Sequence, residues 1–182
     1  MENFKPLLEY NRNTFITSIL EKLYPFCDSI GIVTGFKSEE VKYEIKMFIN
    51  EANLDKSKIQ IIYNPDYEKG MYSSLLAGLK DLLDCDWLLY HFVDQPHIPA
   101  GFYTDFTKQI EDSLDWIQPK YNQMKGHPIL LKKSLFGQIL ESKINSLKEI
   151  SQSRSIKKKI WNCAYPQIVE DIDTKEDYQK LT

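Results

Sequence analysis

Trp87–Pro96 reads W-L-L-Y-H-F-V-D-Q-P, an apolar run that ends abruptly in a carboxylate, an amide and a proline. A run without polar alternation predicts a strand over Trp87–Val93, covered on both faces as in a parallel sheet flanked by helices. Pro96 cannot donate to a ladder, so the chain turns away there and Asp94 stands at the carboxyl end of the strand.

Working outward, strand-like and helix-like segments alternate. Phe15, Ile16, Ile19, Leu20 and Leu23 form a helical stripe over Thr14–Tyr24, and Pro25 ends it. Ser29–Thr34 predicts a short strand, and Ser38 is placed to cap a helix running to about Asn50. Lys58–Tyr63 predicts the next strand, and Ser73–Leu83 the helix after it. Beyond the central run come a helix over Tyr103–Glu111 and strands over Trp116–Pro119 and Pro128–Lys132, joined by a polar turn. Helices follow at Leu135–Glu141 and Leu147–Gln152, then short strands at Lys159–Ala164 and Ile168–Asp171, and a final helix at Thr174–Leu181. No strand pattern precedes Thr14. The alternation predicts an α/β domain over residues 1–182, with a mostly parallel sheet between two helical layers. Such sheets bind ligands in the loops at the carboxyl ends of their strands.

Composition narrows the function. The 182 residues suit one domain with a full core, and the net charge of −3 lacks the basic excess of a nucleic-acid binder. No apolar run approaches a membrane span, and the N-terminus carries no signal pattern, so a cytoplasmic location is expected. Cys27, Cys85 and Cys163 are far apart, as in reduced, buried thiols.

The loops carry the chemistry. Asp94 can hold a divalent cation, or it can satisfy turn amides. In N-P-D-Y-E-K-G-M-Y-S-S (Asn64–Ser74), Gly70 allows close backbone approach, and Ser73 and Ser74 stand where a helix N-terminus favours anions; a plain cap reads equally well. In K-G-H-P, Gly126 closes a turn and His127 is either a donor to a substrate or a structural histidine. In D-I-D-T-K-E-D-Y, Thr174 and Asp177 form a capping box, which leaves Glu170, Asp171 and Asp173 crowded ahead of the helix. Clustered acids repel unless solvent or a cation accommodates them. His91, inside the apolar run, reads as a hydrogen-bonded core residue.

In order, F-K-P-L-L (Phe4–Leu8), N-x5-G-M-Y-S-S-L-L-A-G-L (Asn64–Leu79), D-Q-P (Asp94–Pro96), P-K-Y-N-Q-M-K-G-H-P-I-L (Pro119–Leu130) and D-I-D-T-K-E-D-Y (Asp171–Tyr178) resemble the molybdenum cofactor cytidylyltransferase group of the MobA-like NTP transferase family. The resemblance implies a Rossmann-like sheet of the nucleotide-diphospho-sugar transferase type. It implies transfer of CMP from CTP to a molybdopterin-type cofactor, with pyrophosphate released. By the same analogy Asp94 binds magnesium (Mg2+) with Asp171 or Asp173 as second carboxylate, and Lys5 contacts the phosphates. Asn64, Gly70 and Ser73 line base and ribose, and Gly126 and His127 face the second substrate. The alternative is a non-catalytic relic or a cofactor-binding accessory protein of a molybdenum hydroxylase.

In this family F-K-P-L-L follows a strand and a loop of the form L-A-A-G-x-S-x-R-M-G, and Met1 falls at the Met of R-M-G. The first strand and its glycine-rich loop are therefore expected to be missing from residues 1–182, through a misassigned start or a shortened gene. The sheet should show unpaired edges, or a segment from elsewhere filling the gap. Each lost phosphate contact is worth about 4 kcal/mol near a surface before desolvation. Residues 1–182 alone should thus bind CTP weakly or not at all. Calorimetry with CTP and magnesium, with and without a restored loop, checks this; tight binding by the short chain would contradict it.

Overall fold

A computed structural model describes residues 4–141 and 146–181. Phe4 leads into a 3-10 turn at Lys5–Leu7, not a strand. A short hairpin follows, β1 (Glu9–Tyr10) paired antiparallel with β2 (Asn13–Thr14), a feature without a sequence signal because each strand is so short. The first helix, α1 (Phe15–Leu23), starts at a capping box between Thr14 and Thr17. It buries Phe15, Ile19, Leu20 and Leu23, the expected stripe.

The strand β3 (Ile30–Thr34) and the helix α2 (Ser38–Glu51) come next. Ser38 does not cap α2, contrary to expectation. Lys37 takes the cap position with φ 53, and the Ser38 hydroxyl is buried against Thr34 Oγ1 at 2.8 Å. The strand β4 (Ile59–Tyr63) pairs parallel with β3 from Ile30↔Ile59 to Thr34↔Tyr63. The helix α3 (Met71–Asp81) begins two residues earlier than its pattern suggested, directly after Gly70 at φ +95.

The central run is shorter than expected: β5 spans Trp87–Tyr90, and its ladder ends at Tyr90↔Ile129. Pro128 has no N–H with which to extend it. After α4 (Ala100–Thr107) come β6 (Trp116–Tyr121), β7 (Met124–Lys125) and β8 (Ile129–Lys132). The helices α5 (Phe136–Glu141) and α6 (Leu147–Ser151) lead to β9 (Lys158–Asn162). Where a strand was expected at Ile168–Asp171, the chain makes a 3-10 turn at Pro166–Val169 and then runs extended. The final helix α7 is Lys175–Leu181.

The sheet falls into two pieces. One is β3–β4; the other runs β5–β8–β6–β9, with β7 against β6. Strands β5, β6 and β9 share one direction, and β8 runs against them between β5 and β6. Helices α1, α2 and α4 and the two sheets share one core in which Ile32, Ile45, Phe102 and Ile117 are buried, while Leu75 and Leu79 of α3 pack in a second with Phe136 and Ile150. Among the described residues no ladder joins β3 to β5, and each has a partner on one side alone, as the resemblance led us to expect. This explains a departure from the sequence reading. All four β5 residues are half-buried, not covered on both faces.

The three cysteines are free and half-buried, and burial pushes the Cys27 thiol up to about 11. No helix of the described residues is long and apolar enough to cross a membrane.

One glycine couples the two ends of the sheet. A Cβ on Gly126 would lie 2.2 Å from the Ile168 carbonyl oxygen, a backbone atom that cannot step aside. Gly126→Ala should therefore destabilise the fold by about 2 kcal/mol. Gly137→Ala, at a helical position with open space around it, should be neutral or stabilising. Urea midpoints of the two variants check this.

Candidate nucleotide and metal site

The N-terminal segment is fixed against the loop that follows β3. The Phe4 ring packs edge-on against Phe36, 5.8 Å between centroids. Lys5 is thereby presented to the far end of the chain, where its ammonium pairs with Asp173.

Asp94 leaves the sheet just beyond β5, as its sequence context indicated. Its neighbour Gln95 is 1% exposed and donates from Nε2 to the Ile168 carbonyl (3.1 Å) and to Asp171 Oδ1 (2.9 Å). The Ile172 N–H donates to the Asp94 carbonyl at 3.0 Å. These bonds lay the segment after the Pro166–Val169 turn alongside the D-Q-P loop. Lys5, Asp94, Asp171 and Asp173 consequently meet at one place, close enough for their charges to act on one another.

Asp94 is strained electrostatically. Burial raises its pKa, and the neighbouring Asp171 raises it further, against the pull of Lys5. Its Oδ1 is buried without a hydrogen-bond partner. An unpaired carboxylate oxygen beside a second carboxylate is the environment that a divalent cation relieves. Among the described residues no three His, Cys, Asp or Glu side chains form a preformed cage. The fit is therefore to an ion that takes one or two carboxylates and completes its shell with substrate oxygens.

The other sequence candidates lie in two groups. Asn64 is buried, and its Nδ2 donates to the hydroxyls of Ser73 (2.9 Å) and Ser74 (3.1 Å). Its Oδ1 accepts from the Asp66 N–H at 2.9 Å, and Ser73 bonds the Asp66 and Gly70 carbonyls. Asn64 and Ser73 thus shape the loop between β4 and α3, while Gly70 stands exposed with open space where a Cβ would be. Gly126 is buried beneath Ile168, so its backbone supports the loop from within. His127 donates its N–H to the Ile168 carbonyl (3.0 Å), and its ring lies 4.4 Å from that of Phe92. Burial lowers the His127 pKa, and the nearby Asp171 opposes that shift. His91 bonds the Phe92 carbonyl (2.6 Å) and the Tyr103 hydroxyl (2.8 Å) in the core, as expected.

Lys22 carried no local signal. From α1 it donates to the carbonyls of Pro96 and Ile98, holding the D-Q-P loop from behind.

Comparison with known proteins gives these contacts a context. The family model of the MobA-like NTP transferase domain matches residues 1–159. The molybdenum cofactor cytidylyltransferase of Escherichia coli (strain K12) is 26% identical over 180 residues, 98% of this chain and 86% of that protein. A nucleotidyl transferase from Methanothermobacter thermautotrophicus superposes with a TM-score of 0.76 at 17% identity, over 97% of this chain and 82% of its own. A Mycobacterium tuberculosis H37Rv protein, crystallised in complex with manganese, gives a TM-score of 0.73 at 16% identity, over 97% of this chain and 90% of its own.

The raised pKa of Asp94 has a consequence for stability. A carboxyl group whose folded pKa exceeds its unfolded value binds protons more tightly when folded. Its charge then opposes folding once the pH passes above both values. Asp94→Asn should raise the melting temperature at pH 7, and the gain should shrink towards zero below about pH 4. Thermal melts at the two pH values check the sign; destabilisation at pH 7 would contradict it.

Proposed function

This chain belongs to the MobA-like NTP transferase family, and from that premise we propose that it transfers CMP from CTP to a molybdopterin-type cofactor. The observation that carries the proposal is the meeting of Lys5, Asp94, Asp171 and Asp173 at the end of β5, with one Asp94 oxygen unpaired. The choice of CTP and of a molybdopterin acceptor is supported by the relative from Escherichia coli, whose name states that activity. Family membership favours an enzyme over a non-catalytic accessory protein.

Asp94 with Asp171 or Asp173 would hold Mg2+, which when bound neutralises charge on the phosphates of the nucleotide. The chain's own residues do the rest by position and charge. Lys5 adds a cation at the same place, ready to exchange Asp173 for a phosphate oxygen. Its pair with Asp173 is partly exposed and so cheap to break. Gln95 fixes Asp171 relative to Asp94, because its amide donates to the Asp171 carboxylate while the backbone N–H of the next residue, Ile172, donates to the Asp94 carbonyl. Asn64 and Ser73 keep the loop ahead of α3 open at Gly70, where base and ribose would lie. His127, held neutral by burial, is available to an acceptor approaching from the Asp171 side. No covalent intermediate is required; in-line attack by an acceptor phosphate on the α-phosphate, held by this charge array, suffices.

The test is CMP transfer from labelled CTP to molybdopterin in the presence of magnesium, with GTP and ATP in parallel, using the full-length gene product. We expect CTP to be preferred and Asp94→Ala to lower turnover by at least about a hundredfold. Equal use of GTP, or an active Asp94→Ala variant, would refute the proposal.

A further inference from the structure

A cavity of about 940 Å³ opens beside the β1–β2 hairpin, and none of the groups assigned to transfer lines it. Arg12 at the hairpin turn, Glu21 and Lys22 on α1, and His97 beyond the D-Q-P loop line it.

Three observations give the cavity a chemistry. The His97 side chain is 7% exposed, and neither ring nitrogen has a hydrogen-bond partner. Glu170 Oε2 stands 3.4 Å from Nε2, but burial holds the imidazole below its usual pKa against the pull of that carboxylate. A buried imidazole with Nδ1 unbonded and Nε2 held only by a carboxylate at 3.4 Å is costly, and a ligand that reaches the ring recovers that cost. Arg12 is exposed, sits at φ 83 in the two-residue turn, and makes no ion pair among the described residues. That backbone position favours glycine, so an arginine there is held against a local preference. Lys22, fixed by the Pro96 and Ile98 carbonyls, adds a second positive charge to the lining. Against these stands Glu21, whose Oε2 already accepts from Asn13 Nδ2 at 2.9 Å.

We propose that this cavity is a second anion site that takes a phosphate group, free or as the monoester of a small molecule. Arg12 supplies a planar fork suited to phosphate oxygens, Lys22 supplies charge, and His97 supplies a hydrogen bond from the wall. The site does not depend on the identity of the transfer reaction.

Imidazole resonances test it directly, because the chain has three histidines and His97→Asn identifies the relevant signal. Inorganic phosphate and methyl phosphate are titrated separately into the full chain. We expect the His97 signal to shift to saturation with at least one of them. The affinity should fall about tenfold in Arg12→Ala, recover in part in Arg12→Lys, and stay unchanged in Asp94→Asn. Saturation by inorganic phosphate alone marks a free-ion site, and equal or better binding of methyl phosphate marks an ester site; both support the proposal. An unresponsive His97, a response indifferent to Arg12→Ala, or a response confined to His127 would overturn it.

Discussion

The candidate site depends on the side-chain amide of Gln95. It is almost wholly buried, and its two N–H groups reach the Ile168 carbonyl and the Asp171 carboxylate, both more than seventy positions away in the chain. Together with the Ile172 N–H on the Asp94 carbonyl, those bonds anchor the stretch that carries Asp171 and Asp173 between a 3-10 turn and α7. The residue must be an amide. A glutamate of the same shape would set a third carboxylate against Asp171 and a carbonyl oxygen, with no proton to donate. The His127 N–H converges on the same Ile168 carbonyl, and Gly126 gives that carbonyl room. The loops after β5, before β8 and before α7 therefore lock onto one backbone atom.

Electrostatics sets the cost of this arrangement. Three aspartates gather where Lys5 pairs with Asp173, and Asp94 is half-buried with Asp171 close enough to raise its pKa. Stability alone would not select such a cluster. A carboxylate whose pKa is raised by burial and a like charge, as at Asp94, marks a candidate functional site, and positive charge entering there releases the repulsion. The broken sheet is a second departure from an ideal fold. Among the described residues, strands β3 and β5 each keep one unpaired edge while sharing a hydrophobic core. Unpaired backbone N–H and C=O groups invite pairing with an extended segment.

Much of this was legible in the sequence because it is local. The apolar run into D-Q-P located Asp94, the alternation of strands and helices announced the layers, and the crowding of Asp171 and Asp173 suggested a partner across the chain. What escaped was set by distant contacts. The antiparallel β8 between β5 and β6 follows from sheet order, which periodicity does not encode. The end of β5 at Tyr90 depends on where Pro128 falls in the neighbouring strand. The 3-10 turn at Pro166–Val169 replaced a strand because the segment's carbonyl at Ile168 is occupied by Gln95 and His127 in place of a ladder. Lys22 and His97 look ordinary in sequence, a helix lysine and a loop histidine; their surroundings alone make them unusual.

We propose that Asp94 and the Asp171–Asp173 segment share one divalent cation. Manganese titrated into the isotopically labelled protein measures this most directly, through paramagnetic broadening of nearby signals. The account predicts early, selective broadening of the Gln95 side-chain amide and the Ile172 backbone amide, abolished in Asp94→Asn. Broadening centred elsewhere, or unchanged by Asp94→Asn, would contradict it.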